Sequence, residues 1–274
     1  MRHQTLLVTL AALLLGVPGQ AQKIPFEQQV FNEQVLRPSG QPVVPLYDGW
    51  FENPDGTFGL CFGYFNLNTE EVVDIPLGPD NFIEPAELDG LQPTHFDSVP
   101  AAGYRRHFCV FSITVPEDFG DGRVVWTLRR NGETVRTSGK LIGPYVLDEP
   151  ETRARGVVAP VLELDSSGPA FKGRTGHTAE PRTVAVGEPL HLTVRVDHPA
   201  PQSWVGWSKH QGPGVVTLSQ AELCVDRADG AATTTARFSE PGTYLLRVQS
   251  IYSTTSFEYH CCWTNGYIPV TVTP

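Results

Sequence analysis

The chain has 274 residues and a formal net charge of −10, with 20 Lys and Arg against 30 Asp and Glu. That balance excludes a nucleic-acid-binding surface, which needs a basic face, and otherwise reports on solubility rather than on a partner. The 26 glycines and 24 prolines are spread along the chain and predict many short strands with frequent turns. No helix of normal length fits after the first residues, because prolines and β-branched residues interrupt every candidate window.

Residues 2–21 read as a secretory signal peptide. Arg2 and His3 give a short basic start, Leu6–Val17 is apolar, and Gly19 and Ala21 stand where a signal peptidase needs small residues. The apolar run is too short to span a bilayer core of about 30 Å. The expectation is an exported chain, secreted or periplasmic, that starts near Gln22, with residues 22–42 as an extended lead-in and no transmembrane segment in the mature chain.

The rest predicts an all-β protein of two β-sandwich domains in tandem, residues 43–148 and 160–274, joined by a charged, non-periodic linker at 149–159. In the first domain, Pro45–Glu52 and Thr57–Asn66 form a hairpin around Asn53-Pro54-Asp55-Gly56. Phe58, Leu60, Phe62 and Tyr64 share one face of its second strand, and Gly59, Cys61, Gly63 and Phe65 the other. The two glycines on one face predict a bulge or a close neighbour. Trp50 and Phe51 are adjacent, so a regular strand sends one of them outside the sandwich core. Glu71–Leu77 is a short strand, Gly78–Phe96 a long loop, and His107–Pro116 a strand. Arg123–Arg130 and Glu133–Leu141 form a hairpin around Asn131-Gly132. Cys61 and Cys109 both lie mid-strand in this domain, which predicts a disulfide between them.

In the second domain, Pro160–Leu164, Thr183–Val186, Leu190–Val196, Trp204–His210, Val215–Leu218 and Gly266–Thr273 read as strands, with an insertion at Asp165–Pro181 and a loop up to Gly230. Ala231–Ser250 alternates with period two on both sides of Pro241-Gly242, predicting an antiparallel hairpin.

The run TVAVGEPLHLTVRV, WVGWSKHQGPGVVTLS, ATTTARFSEPGTYLLRV and VTV resembles bacterial PKD-like and immunoglobulin-like domains of secreted proteins over Thr183–Thr273. The resemblance implies an immunoglobulin-like sandwich in which Trp207 is the core tryptophan and Tyr244 a tyrosine corner. Leu192 or Val194 and Leu246 stand where antibody-type domains place inter-sheet cysteines. The first domain resembles secreted bacterial β-proteins that carry a GPDNF…QPTHF loop. Such modules serve as spacers, adhesion units or binding units for carbohydrate or protein.

The same strand order implies that loops Asp197–Ser203, Gln220–Gly230 and Ile251–Asn265 gather at one end. That implies a disulfide from Cys224 to Cys261 or Cys262. It also implies a binding end made of His198, Asp226, Tyr259, His260, Trp263 and Asn265. The alternative at that end is Trp263 as a plug of the sandwich. In the long loop, Asp80, Asn81, Glu84, Glu87 and Asp89 could supply oxygen ligands to calcium, though they match no EF-hand spacing and equally suit turn caps. His260-Cys261-Cys262 offers soft-metal ligands, but a disulfide is the better reading in an oxidising compartment. No nucleophile elbow, zinc-protease motif or glycine-rich phosphate loop is present. The expectation is a non-enzymatic binding, adhesion or envelope-interaction protein with a protein or glycan partner at the cell surface. The alternatives are a carbohydrate-binding accessory protein, with aromatics as its platform, and a small extracellular hydrolase with its site in the first domain.

Overall fold

The computed structural model describes residues 37–98, 106–147, 159–164, 168–197, 203–226, 229–252 and 263–274. The signal peptide, most of the lead-in and nearly all of the linker lie outside these. The described residues hold strands and short 3₁₀ turns and no α-helix.

The first sandwich comprises β1 (Val43–Glu52), β2 (Phe58–Asn66), β3 (Val73–Asp74), β4 (Asn81–Glu84), β5 (His95–Phe96), β6 (Arg106–Val115), β7 (Val124–Arg130) and β8 (Glu133–Gly139). Sheets β1–β2–β6 and β4–β7–β8 enclose the core, and β3–β5 is a short separate pair. The expected face of β2 is inside: Leu60, Phe62 and Tyr64 are buried with Phe96, Phe111 and Trp126. Asn131 and Gly132 both take positive φ, 53° and 80°, as a two-residue hairpin turn requires. Trp50 packs on this core, whereas Phe51 packs on a separate cluster across the sheet and lies over Gly59, where a Cβ would collide with its ring.

The stretch Gly78–Phe96 is not a plain loop. It contains β4, which pairs with β7, and β5, which pairs with β3. Asn81 is fully buried and organises it. Its Nδ2 donates to the carbonyls of Ile75 (2.9 Å) and Pro93 (2.8 Å), and its Oδ1 accepts from Trp126 Nε1 (3.0 Å).

The second sandwich comprises β9 (Val161–Glu163), β10 (His177–Thr178), β11 (Arg182–Ala185), β12 (Leu190–Asp197), β13 (Ser203–Gln211), β14 (Val216–Leu218), β15 (Glu222–Val225), β16 (Asp229–Phe238), β17 (Gly242–Tyr252) and β18 (Trp263–Thr273). One sheet is β14–β16–β12–β9; the other is β15–β13–β17–β18, with β10 and β11 both parallel to β18. Trp207, Leu192, Val194 and Leu246 lie in the core between them. Two expectations need correction. The strands on either side of Pro241-Gly242 do not pair with each other: β16 pairs with β12 and β14, and β17 with β13 and β18. Both strands send apolar residues inward, so the chain crosses from one sheet to the other at that corner. Tyr244 Oη donates to the Glu240 carbonyl at 2.9 Å across it, which is the tyrosine corner. The expected loop Gln220–Gly230 also contains β15, which pairs with β13 along Ser203–Gly206.

Residues Leu36–Pro274 form one compact unit, because the outer face of the β15–β13–β17–β18 sheet is covered by the first sandwich. Trp263–Ile268 is buried without a break, as happens when a strand is covered on both faces. The contact centres on a bulge in β6, where Phe62 pairs with Phe111 but Tyr64 pairs with His107, so Phe108–Val110 stand opposite Gly63 alone. The Cys61–Cys109 disulfide, Cα–Cα 4.8 Å, ties the bulge to β2. Buried Asp48 accepts from Cys109 N at 2.6 Å and is ion-paired with Arg106. Across the contact, Asn265 Nδ2 donates to Cys109 O (3.0 Å) and Tyr267 Oη to Val110 O (2.9 Å). A second set of bonds lies beside it: Thr94 N donates to His210 O (2.9 Å), and Gln211 Nε2 to the carbonyls of Gly90 (2.8 Å) and Gln92 (2.7 Å). The GPDNF…QPTHF stretch therefore acts as a docking element.

Replacing Cys61 and Cys109 together by alanine is expected to lower the unfolding free energy by about 2–4 kcal/mol. Denaturant unfolding measures this, and an unchanged midpoint would contradict the assigned role of the bond.

Candidate functional site

The expected sites fare unevenly. Of the residues expected to ligate calcium, Asn81 is engaged by the bonds above, and Asp89 Oδ1 accepts from Ile83 N (2.9 Å) and Gln92 Nε2 (2.6 Å). Among the described residues no group of three or more His, Cys, Asp or Glu converges to hold a metal ion. Asp80, Glu84 and Glu87 are exposed. In the expected binding end, Trp263 is 1% and Asn265 0% exposed, so neither can meet a partner; both serve the contact between the sandwiches. Asp226 is exposed, while His198, Tyr259 and His260 lie outside the described residues. Cys224 is exposed on β15, in register with Trp204 on β13, rather than in a loop. Its expected partners Cys261 and Cys262 lie outside the described residues.

Sequence reasoning missed a cleft of about 540 Å³ between the two sandwiches. His95, Asp97, Arg106, His107 and Phe108 line it from the first; Trp204, Ser208, Lys209, Glu222, Arg247 and Gln249 line it from the second. Strand register explains the second wall. Gly206 on β13 stands between Glu222 on β15 and Gln249 on β17, and Ser208 stands beside Arg247. All of these project from the face opposite the sandwich core.

A charged chain crosses the contact at the edge of the cleft. Lys209 Nζ lies 3.0 Å from Asp74 Oδ1, and the same oxygen lies 2.8 Å from His95 Nδ1. His95 Nε2 lies 3.2 Å from Asp97 Oδ1. Burial opposes a charged His95, but hydrogen bonds to Asp74 and Asp97 outweigh it, so its pKa is raised. Burial likewise works against charged Asp97, and the contacts with His95 outweigh it, so that carboxyl is held below its usual range.

Deeper in, a recess of about 120 Å³ is lined by Tyr64, His107 and Arg247 among others. His107 stacks on Tyr64, ring centroids 4.3 Å apart, and its buried Nε2 has no partner among the described residues. Burial pushes its pKa down to about 4 despite Asp97, so it is neutral near pH 7. Arg247 is 7% exposed, and its Nε and Nη2 donate to Asn265 Oδ1 at 3.2 and 2.8 Å.

A larger open groove of about 890 Å³ lies on the second sandwich along β10, β11 and β12. Arg195 and Glu163, both exposed, meet there in a loose contact of 3.6 Å. The smaller cleft has the more organised chemistry. In the sequence, His95 and His107 stand isolated from other candidate site residues, and Arg247 and Gln249 only share the strand face opposite Tyr244, Leu246 and Val248.

No family model matches the chain, and no curated protein matches it. Among solved structures, the D00–D0 domain of intimin is 13% identical, covering 85% of this chain and 100% of that one at a TM-score of 0.28. Domains 4 and 5 of the S-layer protein SbsC are 14% identical, covering 72% and 79%, at 0.26. A protein of unknown function from Porphyromonas gingivalis W83 is 10% identical, covering 84% and 100%, also at 0.26. Likeness at this level carries no argument about function.

The histidines give opposite pH dependences. His107 and His210 are both lowered from 6.5 to about 4, chiefly by burial. Unfolded imidazoles take up protons that the folded ones refuse, so stability falls as pH drops from about 6.5 towards 4. His95 is raised, so its contribution is complete below 6.5 and is lost as pH rises through its folded value. The Tm deficit of His95→Gln is expected to be largest near pH 6 and to shrink at higher pH; a deficit constant with pH would contradict the arrangement.

Proposed function

We propose that this chain is an exported, non-enzymatic binding protein that recognises a protein or glycan at the cell surface, with the cleft between its two sandwiches as the ligand seat. The observation that carries this reading is the convergence on one cleft of side chains from both sandwiches, held by buried bonds. Small-ligand sites favour such concave positions between domains, with a few placed polar groups, and span roughly 300–1,000 Å³. The Cys61–Cys109 bond suits an oxidising compartment. No helix among the described residues is long and apolar enough to cross a membrane.

The geometry favours binding over catalysis. Both ring nitrogens of His95 are engaged by carboxylates, which leaves it no free position to accept a proton from a substrate. His107, with a pKa near 4, is a weak base at neutral pH. A hydrolase panel run beside envelope-binding assays tests this. Saturable binding without turnover, weakened by Glu222→Ala or Gln249→Ala at unchanged Tm, is expected. Turnover abolished by His95→Ala would overturn the non-enzymatic reading.

A further inference from the structure

We infer that the cleft seats a neutral sugar ring on the indole of Trp204, which makes the ligand a short neutral oligosaccharide. The inference rests on the cleft being the ligand seat. Trp204 lies flat over Gly206, where any Cβ would collide with the ring. Glycine at this position lets the indole lie along the sheet instead of standing off it. Trp204 is half-buried: together with Phe108 it packs on the Cys61–Cys109 and Ile251 cluster, so the platform is anchored from below. Aromatic side chains offer large, rigid apolar faces at low entropy cost, which suits the C–H face of a pyranose.

The polar groups around this platform match hydroxyls rather than a charged ligand. Glu222 and Gln249 flank Gly206 in register on either side. One offers acceptors and the other both kinds of partner. A sugar hydroxyl both donates and accepts, so it can use this mixture where a phosphate or carboxylate, which only accepts, cannot. The charge balance agrees. Arg106 is paired with Asp48 and Lys209 with Asp74. Arg247 interacts with Asp97, and Glu222 lines the same cleft, so there is no surplus of positive charge for an anion. At the inner end, the buried Nε2 of neutral His107 has no partner among the described residues. A hydroxyl satisfies that nitrogen whichever tautomer is present, which a pure acceptor or a pure donor does not.

The test is calorimetric titration of the full protein with neutral gluco-, galacto- and manno-oligosaccharides of two to four units, with uronic-acid oligosaccharides and inorganic phosphate as comparison probes. Binding of one neutral series is expected, with affinity insensitive to salt, since no ion pair forms with the ligand. Trp204→Ala is expected to weaken it roughly tenfold or more, about 1.4 kcal/mol. Trp204→Phe, which keeps a flat ring, and Gln249→Ala keep the test interpretable if Trp204→Ala unfolds. Arg195→Ala, in the larger groove, serves as the control and should change nothing. Binding only of the acidic probes, salt-dependent and weakened by Gln249→Ala, would overturn the neutral-sugar inference and leave the cleft as the seat. Binding unaffected by every cleft substitution, or no binding of any sugar, would overturn the inference; the first result would overturn the cleft reading as well.

Discussion

The structure depends on two carbonyls that a bulge sets free. In β6, Phe108–Val110 leave the regular ladder, and buried backbone groups without partners are costly. Cys109 O and Val110 O accept bonds from the second sandwich, through Asn265 and Tyr267. The bulge is itself fixed from within by the Cys61–Cys109 bond, by Asp48 accepting from Cys109 N, and by Gly63, where any Cβ would run into His107 O. Local geometry in one sandwich thus sets where the other docks.

Asn265 matters most because its side chain is used at both ends. Its amide nitrogen donates to Cys109 O and Arg174 O, while its oxygen takes two bonds from Arg247. Arg247 is a buried guanidinium whose pKa burial lowers, and these two bonds to Asn265 add to its contact with Tyr267. Held in place, it forms part of the cleft floor. The same contact that joins the sandwiches therefore positions the residues proposed to bind ligand. A cleft walled by two bodies free to move would not present Trp204 and His107 at fixed separation, and preorganisation of this kind favours affinity.

Local chemistry was legible in the sequence, and long-range partnership was not. The Asn131-Gly132 turn could be read because neighbouring residues decide it, and the disulfide because Cys61 and Cys109 are the two cysteines of their domain; the core Trp207 and the Tyr244 corner came from the resemblance to immunoglobulin-like domains. The periodicity around Pro241-Gly242 gave both strands but not their partners, since a period of two reads the same in a hairpin and across a sandwich. Asp89 and Asn81 resembled metal ligands because their oxygens looked free; in the fold, Trp126 Nε1 donates to Asn81, and Ile83 N and Gln92 Nε2 donate to Asp89. Trp263 and Asn265 were placed on a surface because nothing in one strand announces a second layer above it. β15 was too short, at four residues, to show alternation.

Calorimetry of the wild type beside Asn265→Ala tests most directly whether the two sandwiches are one body held by this contact. The account predicts a single cooperative endotherm for the wild type. For the variant it predicts a lower Tm, because Cys109 O and Arg174 O lose the Asn265 donor and Arg247 loses its two bonds to Asn265, and a buried polar group deprived of a bond costs about 1–3 kcal/mol. Two separate endotherms in the wild type, or a variant that melts at the same temperature, would contradict it.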